Sequence, residues 1–261
     1  MSSPQPPEGE SEGLPERSPL IAAAGAIGYV VGVFAFVIAA SIVLTAGLAI
    51  AFFLADTPET FEWLLTGDGS IYLVVAEALL LGFGTVAAAL LSFSLGWIPK
   101  RVVGFAVPTG RQLLVGVGAT VGLVVLAALL SALVEFVGAP ASDHALFDED
   151  APVSYYVVLA VLSILVIGPV EELLFRGLIQ NYLRSAVTPV WAVVWTSVLF
   201  AVVHLPAYLT GAFSTAVASL AVIFVLSLVL GAIYERYRNV VLVMLIHGFY
   251  NAVLFGFEIV A

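Results

Sequence analysis

From residue 20 onward the chain is divided into seven long apolar runs, at 20–55, 71–98, 111–138, 153–183, 189–209, 212–234 and 239–259. Each holds roughly the 20 residues that an α-helix needs to cross a bilayer core. Lipid offers no water to bond the backbone, so such runs fold as helices that satisfy their own N–H and C=O groups. The expectation is an all-α polytopic membrane bundle of about seven transmembrane helices. Six to eight are the bounds, because the fifth and sixth runs are parted only around Thr210 and Gly211. Composition agrees, with 62% hydrophobic and 10% charged residues, whereas soluble domains carry about a quarter charged residues.

The formal net charge of −10 argues against a nucleic-acid partner, since phosphate binding needs clustered Lys and Arg. The partner that the runs imply is the lipid bilayer. The chain has no cysteine, which removes disulfides, thiolate metal sites and a cysteine nucleophile. Residues 1–19 are rich in Pro, Ser, Gly and Glu, and are expected to form a disordered tail.

Basic residues favour cytoplasmic loops. With the tail inside, seven of the eight basic residues fall on the inner side: Arg17, Lys100, Arg101, Arg111, Arg184, Arg236 and Arg238. The outer segments 56–70 and 139–152 carry only acids, and the remaining Arg176 lies within a run. This predicts an integral protein of the cell membrane with its N-terminus cytoplasmic and its C-terminus outside. The segment 56–70, with Trp63, is expected to include a short interfacial helix. Gly28/Gly32 and Gly118/Gly122 have the small-residue spacing that lets helices pack closely in lipid. His144 falls in the outer acidic loop and is expected to be exposed.

Few ionisable groups remain deep in the runs: Glu171, Glu172 and Arg176 in the fourth, His204 in the fifth and His247 in the seventh. Such groups are functional candidates by default. Glu172 and Arg176 are four apart, on one helix face and in the favourable order. Glu171 is turned about 100° from Glu172 around the axis, so one acid can pair with arginine while the other faces a cavity. Phe200 shares a face with His204, and Asn251 with His247. Counted from the inner ends at 1.5 Å per residue, these groups reach depths of roughly 12–22 Å, compatible with one common site.

The motifs EELLFR (171–176), FAVVH (200–204) and HGFYN (247–251) match E-E-x-x-x-R, F-x-x-x-H and H-x-x-x-N in order. The chain resembles the CPBP intramembrane proteases, the CaaX-protease and bacteriocin-processing family, which includes the type II CaaX prenyl endopeptidases. The resemblance covers residues 153–259 and divides the chain into the tail (1–19), N-terminal membrane helices with outer acidic loops (20–152), and a protease core (153–261) in the last four helices.

Peptide hydrolysis needs an activated water, a stabilised oxyanion and a proton for the leaving amine. A carboxylate in a partly dry cavity is a better base than one in water. Glu171 takes that role here, with His204 orienting or deprotonating the water. The resemblance implies His247 and Asn251 as oxyanion donors. Glu172 with Arg176 is the structural pair, and Phe200 shapes the pocket. Glu171, His204 and His247 are also a set that could hold a divalent metal such as zinc with water in the fourth position. No H-E-x-x-H is present, however, and the histidines come from different helices, so the metal-free reading is preferred. Substrates that fit are a prenylated CaaX peptide entering from lipid near the inner leaflet, a peptide precursor, or another membrane protein. A proton-coupled transporter and a non-catalytic membrane adaptor are the rival readings.

Overall fold

The computed structural model describes residues 13–66, 69–147 and 150–260. The described residues contain helices and no strands. The elements are α1 (Pro19–Leu54), α2 (Pro58–Leu65), α3 (Ser70–Ser94), α4 (Lys100–Val103), α5 (Gly110–Phe136), α6 (Val153–Arg184), α7 (Pro189–Val203), α8 (Leu205–Tyr208), α9 (Phe213–Tyr237) and α10 (Val240–Val260). Among them α1, α3, α5, α6, α9 and α10 are long and apolar enough to span a membrane. The polytopic helical bundle expected from the apolar runs is therefore present.

The fifth run differs from its expected extent. Helix α7 has 15 residues and stops at Val203, with His204 as its C-cap. Pro206 is the cause: it has no N–H to donate, and its ring clashes with the carbonyl four residues back. The chain restarts as the short helix α8. His204, near the end of that run, thus sits at a helix break.

Helix α6 is the hub. Pro169 lies within it, and two wide turns of π type, Ser163–Ile167 and Leu173–Gln180, occur beside the proline and beyond it. Such turns accommodate residues that cannot keep the ordinary helical ladder. The second half of α6 is enclosed on all sides by α1, α3, α7, α9 and α10. Leu174, Phe175, Leu178 and Ile179 pack there with Ala22, Ala26, Phe200, Tyr234 and Val243.

A polar ladder ties α6 to α9. Positions 172, 176, 180 and 184 make one stripe at four-residue spacing, and 227, 231 and 235 make the facing one. Arg176 donates to Glu172 Oε1 at 2.8 Å and to Ser227 O and Oγ at 3.0 and 2.8 Å. Gln180 donates to Gly231 O and Glu235 Oε1, and Arg184 pairs with Glu235 at 3.3 Å. The stripe closes on Asn181, which donates to Tyr234 Oη at 2.6 Å and accepts from Arg238 at 2.7 Å. Each of these buried groups has at least one charged or carbonyl partner, which offsets part of the cost of taking it out of water. Arg184 and Arg238 are therefore packed components of the bundle as well as basic residues at its end.

A close helix crossing joins α6 to α10. A Cβ at Gly168 would lie 2.6 Å from Gly248 N, and one at Gly248 would lie 2.8 Å from Ser163 O. The glycine pairs singled out by spacing do not do this. A Cβ at Gly28, Gly32, Gly118 or Gly122 would meet no atom within 4 Å, so those four permit no close approach. Gly28 and Gly32 instead border a second, apolar cavity between α1 and α3.

Residues 13–18, assigned to the tail from composition, lie against the body. Leu14 is buried; Arg17 N–H donates to Ser185 O, and its guanidinium lies 4.0 Å over the Tyr182 ring. Residues 1–12 of the expected tail, and Asp68, Asp148 and Glu149 of the acidic segments, fall outside the described residues. Helix α2 occupies the place of the expected interfacial helix, with Trp63 packed on Tyr72.

Candidate active site

Three elements bring the polar residues together. The α6 hub carries Glu171 and Glu172, the break after α7 carries His204, and α10 carries His247 and Asn251. A cavity of about 470 Å³ is lined by Glu171, Phe200, His204, His247 and Asn251, a volume within the range of small-molecule and peptide sites. Glu172 and Arg176 stand behind the wall and are fully buried. The adjacent acids are thus separated as the 100° rotation requires: one faces the cavity and the other faces arginine.

Each imidazole is held by one nitrogen. His204 Nδ1 lies 2.6 Å from Phe200 O, so it donates there and leaves the Nε2 lone pair free to accept. His247 Nδ1 lies 2.8 Å from Glu172 Oε1, and a carboxylate only accepts, so this nitrogen also carries a proton. Both Nε2 atoms then face one oxygen. Glu171 Oε2 lies 4.0 Å from His204 Nε2 and 3.7 Å from His247 Nε2. Both are longer than direct hydrogen bonds, so the three groups face one another across the cavity without bonding directly.

Phe200 locks the arrangement from behind. Its ring centroid is 4.6 Å from that of His204 and 5.8 Å from that of His247. The Arg176 guanidinium lies 4.9 Å over the same ring. The aromatic face separates the buried cation from the imidazoles while touching all three.

Sequence reasoning missed several wall residues. All three histidines of the chain line this one cavity, because His144 does so too. His144 is half-buried rather than exposed. Its ring stands edge-on to Tyr208 at 4.9 Å, and its Nδ1 accepts from Leu146 N–H at 3.0 Å. Burial, with a smaller contribution from His204, lowers its pKa to about 4. Its loop is strapped down by Ser142 Oγ donating to Tyr208 O and by Ala145 N–H donating to Ala207 O. Tyr208 and Tyr250 also line the cavity, and Glu77 borders it from α3. Tyr208, four residues after His204, and Tyr250, three residues after His247 within HGFYN, had a local signal; no periodicity links the 139–152 loop to the site.

Glu171, His204 and His247 have the right chemical character for zinc, but their spacing is wide. A tetrahedral ion with bonds of 2.0–2.2 Å separates its donors by about 3.4 Å, against 3.7 and 4.0 Å here. No group of three His, Cys, Asp or Glu among the described residues is arranged to hold an ion.

Residues 153–253 match the family model described as Type II CAAX prenyl endopeptidase Rce1-like. No curated protein and no solved structure matches the chain. The matched segment contains Glu171, His204, His247 and Asn251, and the match to this family model implies a protease. The helical unit that brings these four residues to one cavity is, over residues 153–253, similar to the Rce1-like type II CAAX prenyl endopeptidases.

Proposed function

We propose that the protein is an intramembrane endopeptidase that hydrolyses a peptide bond of a membrane-associated substrate. The observation that carries this reading is the convergence of Glu171 Oε2 with the two Nε2 atoms on the cavity wall. Glu171 takes a proton from water, and His204, accepting at Nε2, orients that water toward the scissile carbonyl. The water oxygen bonds to the carbonyl carbon, and the carbonyl oxygen becomes an oxyanion. His247, oriented through Nδ1 by Glu172, takes the donor role at Nε2 in its imidazolium form, and Asn251 donates from Nδ2. The C–N bond then breaks, the proton passes from Glu171 to the leaving nitrogen, and a new carboxyl and a new amine result. Unequal partners thus give the two imidazoles unequal roles, one accepting and one donating.

The test is incubation of purified protein with a fluorogenic farnesylated CaaX peptide, with and without chelator. Release of the last three residues, unaffected by chelator, is expected if prenylated termini are substrates. Cleavage abolished by chelator would make the wide donor spacing an ion-free form of a metal site. An inert preparation against this peptide and a lipidated-peptide library would overturn the endopeptidase reading.

A further inference from the structure

The cavity lies in one half of the bundle. From α1 it takes Phe34 and Val37, from α3 residues between Val74 and Leu81, and from the loop before α6 His144 through Phe147. Helix α4, the α6–α7 turn and the α9–α10 turn contribute no residue to its lining among those described. That opposite end is closed by packed side chains. Val102 and Val103 are buried there, beneath Tyr234, Asn181, Arg238 and Glu235 in one hydrogen-bonded set.

The closed end is also the basic end. Arg17 reaches Trp97 O and Ser185 O there, and Arg238 reaches Val102 O. Lys100, Arg101, Arg184 and Arg236 belong to the same turns, and Arg111 begins α5, whose Gly116 packs on Leu242 near the start of α10. Around the cavity the charged groups are Glu77 and Glu171, with Asp143 in the loop beside His144. No Lys or Arg lines it among the described residues. Basic loops stay on the cytoplasmic side during insertion, so the end of the bundle that is sealed faces the cytoplasm.

We infer that the active-site cavity is served from the non-cytoplasmic side of the membrane. Resting on the endopeptidase reading, this makes the substrate a membrane-associated peptide whose scissile bond is presented at the outer leaflet. It also moves the entry route away from the inner leaflet, where a cytoplasmic lipidated terminus would arrive.

The cysteine-free chain makes the test direct. Single cysteines are placed in the cavity loop (Ala145→Cys) and at the basic end (Lys100→Cys), and intact cells and inverted vesicles are treated with a membrane-impermeant maleimide. Label on A145C in intact cells, and on K100C only in inverted vesicles, is expected. The reverse pattern, or equal labelling of both from both sides, would overturn the inference. If A145C is shielded from both sides, Asp143→Cys, on an exposed position of the same loop, decides by the same criterion. The farnesylated fluorogenic peptide is then added outside right-side-out and inverted vesicles. Cleavage by right-side-out vesicles alone supports the inference, and cleavage by inverted vesicles alone overturns it while keeping the endopeptidase reading. The expected labelling, with neither vesicle cleaving this peptide or the lipidated-peptide library, would instead sink the endopeptidase reading and keep the orientation.

Discussion

Glu172 Oε1 lies 2.8 Å from His247 Nδ1, across 75 residues of sequence, while the same oxygen accepts from Arg176 at 2.8 Å. One buried carboxylate therefore neutralises a buried guanidinium and fixes which nitrogen of His247 faces the cavity. Glu172→Gln keeps an acceptor oxygen but loses the charge that neutralises Arg176. Its amide, able to donate as well as accept, no longer fixes which nitrogen of His247 carries the proton. Breaking a buried pair from one side costs about 3–5 kcal/mol, read as a lower melting temperature in detergent. Loss of the His247 donor should lower kcat by roughly 10²–10³, the value of one oxyanion donor. The double variant Glu172→Gln/Arg176→Gln should recover much of the stability and none of the rate. Recovery of both would reduce Glu172 to a counter-ion.

Gly248 should tolerate no side chain. A Cβ there would sit 2.8 Å from Ser163 O and 2.9 Å from Ile164 Cα, both backbone atoms that cannot turn aside. Gly248→Ala should push α10 from α6, cost about 1–3 kcal/mol, and move the adjacent His247 away from Glu171 and Glu172. Gly122→Ala is the control. Its Cβ meets nothing, so its melting temperature should stay at or slightly above that of the wild type, because alanine favours the helix.

His144 should make the cavity loop acid-sensitive. Burial lowers its folded pKa from 6.5 to about 4, so protons bind the unfolded chain more readily. The neutral ring's contribution is fully present above pH 6.5 and is lost as pH falls from 6.5 toward 4. Protonating Nδ1 would also remove the acceptor used by Leu146 N–H. His144→Phe keeps an aromatic ring against Tyr208 and cannot titrate. Melting temperatures measured from pH 7 to pH 4 should fall more steeply for the wild type than for this variant. Parallel curves would contradict the assignment.

The parts of this molecule that could be read from sequence are those governed by local periodicity. Apolar run length gave the spans, and four-residue spacing put Glu172 on Arg176 and turned Glu171 elsewhere. What escaped depends on contacts between distant segments. The Glu172–His247 contact, the Gly168–Gly248 crossing and the fold of the His144 loop onto α8 have no signature in any one stretch. Gly28/Gly32 and Gly118/Gly122 show the opposite error, a packing pattern whose faces meet no neighbour. The α7 break was legible at Pro206 but hidden by the apolar residues around it.

Glu171 is the group on which the account turns, and its carboxamide variant tests it most directly. Glu171→Gln keeps the shape of the side chain but cannot take a proton from water. Steady-state cleavage and equilibrium binding of the same membrane-associated peptide should be measured together on wild type and variant. Unchanged binding and melting temperature are expected, with kcat reduced by roughly 10²–10⁴. Cleavage by Glu171→Gln at the wild-type rate would contradict the role of Glu171 as the base.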